Sequence, residues 1–503
     1  MKQYDVVVIG AGNAGISAAL ALAQQGLKPL VLEKHNLAGG CAGSFVRGRF
    51  EFDISLHALF YQGQGFQQVW EQQMDIHPDM GEIPPRLTFS FLEKDGTANS
   101  KVYPLGVQAF VAEFEKNHPG CGAKMAEWMD ACGQTLQAAA FMQSPEFTPQ
   151  LLAERFPAFL KYAQMTAAQV MDAMDLPNEV RRYLGAFWWY VGSSIENYSF
   201  PHFAGITFCV VQMAMSYPHN ACHEYLAIME KKIRELGGDI WFNTCVTEID
   251  VQDNKVRGVK TANGDYIPCD HVIANTMPRL VLEQLIKGGA PKQEELLAEQ
   301  KNIRENYSFV CVYLGLDASA EELGIKSHHL FFTDADDPAE TYAASGTLDG
   351  PFALGGLCPN ITFPDFSPEG TCVLSLSAGV QGFALEGLSQ EEYFKAKQAV
   401  ARKIIESASR HLGVDLFEHI EEIEVSTPAT LARYGNLRNG SLSFAQNPED
   451  TAKSAAATAV LNSEAGIEGL TFVGQHAFNI GYRNTMFGYD AGTQLAQAIK
   501  EGK

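Results

Sequence analysis

The stretch "YDVVVIGAGNAGISAALALAQQGLKPLVLEK" constrains this chain more than any other feature. Val6 to Ile9 form an unbroken apolar run, as a strand buried on both faces should. Gly10-Ala11-Gly12-Asn13-Ala14-Gly15 follows at once, and Ala14 to Gln25 is rich in small residues and Leu, which predicts a helix packed closely on a sheet. Gly26 ends that helix, "PLVLE" supplies a second parallel strand, and Glu33 closes it. A GxGxxG alone is weak evidence. With strand, helix and acid all in register it predicts a dinucleotide site: a tight turn, a backbone that can approach pyrophosphate, and a carboxylate for a ribose hydroxyl.

A second glycine turn decides which dinucleotide. Gly39-Gly40, shortly after Glu33, brings bare backbone toward the pyrophosphate and ribityl region of a longer cofactor, with Cys41 as a small residue beside it. At the other end of the chain "GLTFVGQ" reads as a strand ending at Gly474, and "RNTMFGYDAGTQLAQAIK" reads as a helix with Asn484 at its N-cap, followed by Thr485. A helix N-terminus aimed at a flavin would stabilise negative charge on its reduced ring. Two distant stretches converging on one cofactor favour FAD over NAD. No second GxGxxG occurs, so a separate nicotinamide domain is not expected.

The 503 residues allow two or three domains. The predicted fold class is α/β: a Rossmann-type FAD-binding domain in three pieces, of the glutathione-reductase or amine-oxidase kind, with an inserted α+β substrate domain. The expected boundaries are 1–75, 215–285 and 455–503 for the FAD-binding domain, and 76–214 with 286–454 for the substrate or lid domain. A net charge of −22 opposes nucleic-acid binding. Ten cysteines without a CxxC pair read as free thiols in a reducing compartment, with no metal site. "FAGITFCVVQMAM" is too short to span a bilayer and reads as core, which leaves peripheral membrane contact at most. The chain is expected in the cytoplasm.

"GGCAGSFVRGRFEFDISLH" resembles the segment after the dinucleotide turn in the family of phytoene desaturase, carotenoid isomerase and retinol saturase, most of all the last, with its Cys after the glycine pair and His after Phe-Asp. "VGQHAFNIG" resembles the C-terminal motif of the same enzymes, and "STPATLARYGNLRNGS", "PDFSPEG" and "VIANTMP" are weaker matches. The resemblance implies a Val246 backbone contact to adenine, and Gly474 with Gln475 at the ribityl-pyrophosphate. The full set expected around FAD is Gly10, Gly12, Asn13, Ala14, Gly15, Glu33, Lys34, Gly39, Gly40, Cys41, Val246, Gly474, Gln475, Asn484 and Thr485. Ser55, Asn220-Ala221 and Asn484 depart from glycines usual in the family, and the C-terminal glycine cluster is thinned to Gly481 and Gly488.

The implied activity is saturation, desaturation or isomerisation of a carbon–carbon unit in an apolar, polyene or lipid-like small molecule, with hydride moving at flavin N5. Electrons then arrive from a separate donor, or none are consumed. The other carbon needs a proton donor or acceptor, for which His57 and His476 are the candidates, general acids among their possible roles, with Tyr482 or Tyr489 able to supply the proton instead. Each histidine could equally serve only as a hydrogen-bonding residue. "GAFWWYVGSSIENYSFPHF" reads as core or as the wall of an apolar tunnel, and the Met-rich stretch Met165 to Met174 as a core helix. Two other readings stay open: an amine-oxidase-like flavoenzyme on a small substrate, and a non-catalytic lipid- or prenyl-binding relative.

Overall fold

The computed structural model describes residues 4–55, 57–61, 66–287, 291–301, 307–441, 466–474 and 483–502. Strand β1 (Val6–Ile9) is buried at every residue, helix α1 (Asn13–Gln24) runs over it, and β2 (Pro29–Leu32) pairs with β1 in parallel. Val272–Ala274 pairs with the other edge of β1, Leu470–Phe472 pairs beyond that, and Asp239–Trp241 flanks β2. These five parallel strands therefore come from three separated stretches of the chain. The C-terminal helix, Arg483–Glu501, lies against α1. A Cβ on Gly488 would sit 2.1 Å from the Ala14 carbonyl oxygen, and one on Gly492 2.4 Å from that of Ala18. Only glycine permits helices to approach so closely.

Asn484 lies inside the first turn of that helix and is not its N-cap, because helical geometry already begins at Arg483. The Met-rich stretch is also shorter than expected. Thr166 caps a helix over Ala167–Ala173, leaving Met165 and Met174 outside it, while Met171 and Met174 are buried core residues. Thr166 and Gln169 form a reciprocal capping box, which fixes the start.

A second sheet has seven strands among the described residues. Helices α2 (Gly122–Phe141) and α3 (Phe200–Gln212) pack on each other over one side of the molecule. The sheet's longest strands, β3 (Ser308–Leu316) and β4 (Cys372–Val380), pair antiparallel from Ser308↔Val380 to Leu316↔Cys372. The period of two divides β3 cleanly. Val310, Val312, Leu314 and Leu316 enter a core completed by Ile404, Ile405 and Ala408 of the Gln390–Leu412 helix. Tyr307, Phe309 and Cys311 turn the other way and floor a large cavity.

Candidate functional site

The dinucleotide turn is held from several sides. Glu33 is buried and accepts the Ala11 N–H at 2.7 Å on one carboxylate oxygen and the His35 N–H at 2.9 Å on the other. The second glycine turn clamps onto the first through Gly39 N–H to Ala11 O, 2.8 Å, with Gly39 at φ 116°. Asn275, directly after the Val272–Ala274 strand, fills the space below. Its Nδ2 donates to Gly10 O at 3.3 Å, and Cβ atoms on Gly10, Gly12, Gly15 or Gly474 would each come within 2.9 Å of it. The turn is thus bare backbone by construction, and α1 points its N-terminus, free of acidic residues in the first turn, at whatever lies there.

Other expected contacts have definite positions. Ala14, Lys34, Gly39, Gly40, Cys41, Val246, Gly474 and Asn484 line the same cavity as Gly10, Gly12, Asn13 and Glu33. Asn13 accepts the Tyr225 hydroxyl at 3.1 Å, and Lys34 reaches across to Arg433 O and Asn436 Oδ1 at the end of the Pro428–Gly435 helix. Gly15 and Thr485 do not line it. Gly15 serves packing, since its Cβ would lie 2.1 Å from Gly10 O, and Thr485 is fully buried. The Asn484 Oδ1 and Thr485 Oγ1 have no partner among the described residues. A glycine cradle, an anion-seeking helix end and unsatisfied polar atoms together fit a dinucleotide cofactor. Gln475, His476, Gly481 and Tyr482 lie outside the described residues.

From the cradle the cavity runs on without interruption, about 1560 Å³ in all. Ligand sites for one small molecule usually occupy about 300–1,000 Å³, so this space admits a cofactor and a second molecule. The far part is walled by α2, by Trp189, Tyr190 and Tyr198, by α3 and by the β3–β4 floor. The aromatic stretch is therefore divided: Trp189 and Tyr190 face the cavity, whereas Trp188 is core, its indole N–H bonded to Thr341 at 2.7 Å. Helix α3 is core on one face and cavity wall on the other, through His202, Gly205, Ile206 and Cys209.

His57 sits at the border between the two parts. Its ring centroid is 5.6 Å from Trp189 and 5.7 Å from Tyr190, and its Nδ1 is enclosed without a partner among the described residues. Its carbonyl oxygen lies 3.0 Å from His329 Nε2. Enclosure lowers the imidazole to about 4. A neutral ring can accept a proton or hydrogen-bond a ligand. Tyr489 is corrected by its position: its hydroxyl is tied at 2.7 Å to Gln24 Oε1 and 2.8 Å from Gln73 O, outside the cavity. Burial pushes the Cys41 thiol up to about 11, so it lines the cavity as an inert small group.

Asp53, the last residue of "FEFD", had no role assigned from sequence. It is buried and accepts Ser44 Oγ–H at 2.6 Å, the Cys222 N–H at 2.9 Å and the Tyr217 hydroxyl. Burial raises its carboxyl above the ordinary carboxylate range, against these hydrogen bonds, which lower it. The Ser44–Arg47 and Phe50–Asp53 hairpin is thereby fixed to the segment preceding the His223–Glu235 helix, and Tyr313 of β3 donates to Ile54 O at 2.7 Å. Asn275 was likewise missed, although an Asn directly behind an apolar strand in "VIANTMP" was the available signal.

Residues 13–482 match the family described as flavin-containing amine oxidoreductases. The chain is 26% identical to a chloroplastic prolycopene isomerase of Daucus carota, over 95% of this chain and 77% of that protein. It is 22% identical to an all-trans-retinol 13,14-reductase of Danio rerio, over 97% and 85%. Among solved structures, a putrescine oxidase triple mutant superposes with a TM-score of 0.68 at 14% identity, covering 100% of this chain and 99% of that one. Cyclohexylamine oxidase from Brevibacterium oxydans gives 0.65 at 16% identity, over 100% and 99%. An α/β fold of this kind, a glycine cradle built for a dinucleotide and a match over most of the length lead to one conclusion: the chain belongs to the flavin-containing amine oxidoreductase family and is a flavin-dependent enzyme.

Proposed function

We propose that this enzyme uses FAD to act on a carbon–carbon double bond, or its saturated counterpart, in an apolar polyene or lipid-like molecule. The observation that carries the reading is the continuity of the cradle with a chamber whose described lining, from α2, residues 188–212, β3 and β4, holds no Asp, Glu, Lys or Arg. On those elements a cationic amine would find no carboxylate, the charged residues of the cavity, Glu33, Lys34, Lys287 and Asp490, standing on others, whereas a conjugated chain meets aromatic and aliphatic surface. The relatives named for prolycopene isomerisation and retinol reduction agree with this choice.

When bound, FAD supplies hydride transfer to or from a substrate carbon. The chain's own residues do the rest. Gly10, Gly12 and the N-terminus of α1 receive the pyrophosphate, Glu33 keeps lone pairs for a ribose hydroxyl, and the Val246 backbone meets the adenine. Gly39 and Gly40 leave room for the middle of the cofactor. His57, neutral and set tilted against Trp189 and edge-on to Tyr190, orients the reacting end and accepts a hydrogen bond or a proton. His476 and Tyr482 remain our proposed partners for the remaining proton. The single GxGxxG supports a separate electron donor, or a reaction without net electron consumption. No helix among the described residues is long and apolar enough to cross a membrane, and any lipid contact is proposed to be peripheral. The ten unpaired cysteines support a reducing compartment, for which we propose the cytoplasm.

The test is anaerobic. The yellow holoenzyme is reduced with dithionite and offered polyenes, and the oxidised form is offered amines. Reoxidation by a polyene, or isomerisation of a cis-polyene without net oxidation, is the expected result. Bleaching of the oxidised flavin by an amine, with polyenes inert in both forms, overturns the proposal.

A further inference from the structure

A chamber for hydrocarbon alone has no use for hydroxyl groups in its wall, because phenylalanine fills the space of tyrosine without an O–H to satisfy. This wall nevertheless contains three tyrosines. Tyr190 lies on the short Trp188–Val191 helix beside Trp189, Tyr198 in the loop before α3, and Tyr307 at the entrance to β3. All three line the cavity. Tyr198 is fully buried, and its hydroxyl has no hydrogen-bond partner among the described residues. The hydroxyls of Tyr190 and Tyr307 have none among the described residues either.

The three phenols are close enough to influence one another. Burial holds Tyr307 well above its ordinary value, and Tyr198 and Tyr190 push it further. Burial likewise lifts Tyr190 to about 12. All stay protonated, so each has a proton to donate. Trp189 Nε1 and His202 Nδ1 are enclosed in the same wall, also without partners among the described residues. The wall thus offers several donors. A carboxylate or an ammonium would meet no opposite charge on these elements to offset its burial. An uncharged oxygen suits them.

We propose that Tyr190, Tyr198 and Tyr307 form a subsite for a neutral oxygen, hydroxyl or carbonyl, carried by the polyene, so that the enzyme selects oxygenated polyenes over hydrocarbons of equal length. This inference rests on the polyene reading above. It makes the aromatic wall a specificity device in addition to a greasy surface.

Equilibrium binding to the oxidised holoenzyme, followed through flavin absorbance, tests it with three probes: retinol, retinal and the hydrocarbon lacking retinol's oxygen. The alcohol, the aldehyde or both should bind at least about tenfold more tightly than the hydrocarbon, since a polar group without its partner is left stranded in the wall. Which of the two binds better distinguishes hydroxyl from carbonyl. Tyr198→Phe and Tyr307→Phe should each reduce that preference about five- to tenfold and leave hydrocarbon affinity unchanged or improved. The hydrocarbon is the internal control for folding, and the bound flavin spectrum is a second. Equal affinity for all three probes in the unaltered enzyme overturns the subsite and leaves the polyene reading standing, as does a uniform loss in the variants. Failure of all three to bind overturns both.

Discussion

At the pH where most enzymes work the imidazole of His57 is uncharged, because its enclosure lowers it to about 4. In the unfolded chain the same group titrates near 6.5. Between these values the unfolded state holds the extra proton, so acidification through this window removes stability, by about 3 kcal/mol in all once pH reaches 4. His57→Gln should therefore flatten the loss of stability between pH 7 and 4.5, read as the difference in urea midpoints. Glu33 gives a second prediction. Glu33→Ala strands the buried N–H of Ala11, at about 1–3 kcal/mol, frees the half-buried N–H of His35 and removes the proposed ribose acceptor. Purified protein should have a lower melting temperature and a smaller ratio of flavin to protein absorbance. Glu33 was legible from its place behind an apolar strand. The charge state of His57 was not, since it depends on Trp189 and Tyr190, residues more than a hundred positions away.

Among elements, the contact of α1 with the C-terminal helix is the most demanding sterically. Gly488→Ala places a methyl carbon where the Ala14 carbonyl already sits, and overpacking of this kind costs about 1–3 kcal/mol. Calorimetry should show a lower melting temperature, and because Ala14 lines the cradle, weaker flavin retention with it. The hairpin ending at Asp53 makes a similar case. Asp53→Asn replaces one acceptor oxygen with an amide donor facing Ser44, Tyr217 and Cys222 donors, so urea unfolding should register a loss of about 1–3 kcal/mol. Periodicity revealed β1, α1 and β2, whose four-residue strands are buried on both faces and whose helix is almost wholly apolar. It could not locate the start of the C-terminal helix, because Asn and Arg are both compatible with a helix end and only the backbone decides. Nor could it split the aromatic stretch, since Trp188 and Trp189 are adjacent and identical in kind yet face core and cavity.

For the whole molecule, the fold class and the flavin chemistry were readable because they rest on backbone turns that glycine spacing records directly. The chamber was not, because its wall gathers α2, residues 188–212, β3 and β4 from positions about 250 apart, and no local pattern encodes such a meeting. The same dispersal has a consequence for biogenesis. Gly474 touches Asn275 below the first turn, and the helix that covers α1 begins at Arg483. A ribosome adding about 5–20 residues per second exposes the small-residue groove of α1 for tens of seconds before its mate exists. The groove of α1 stays uncovered until the Arg483–Glu501 helix has been made, so cofactor capture in this cradle follows the synthesis of that helix.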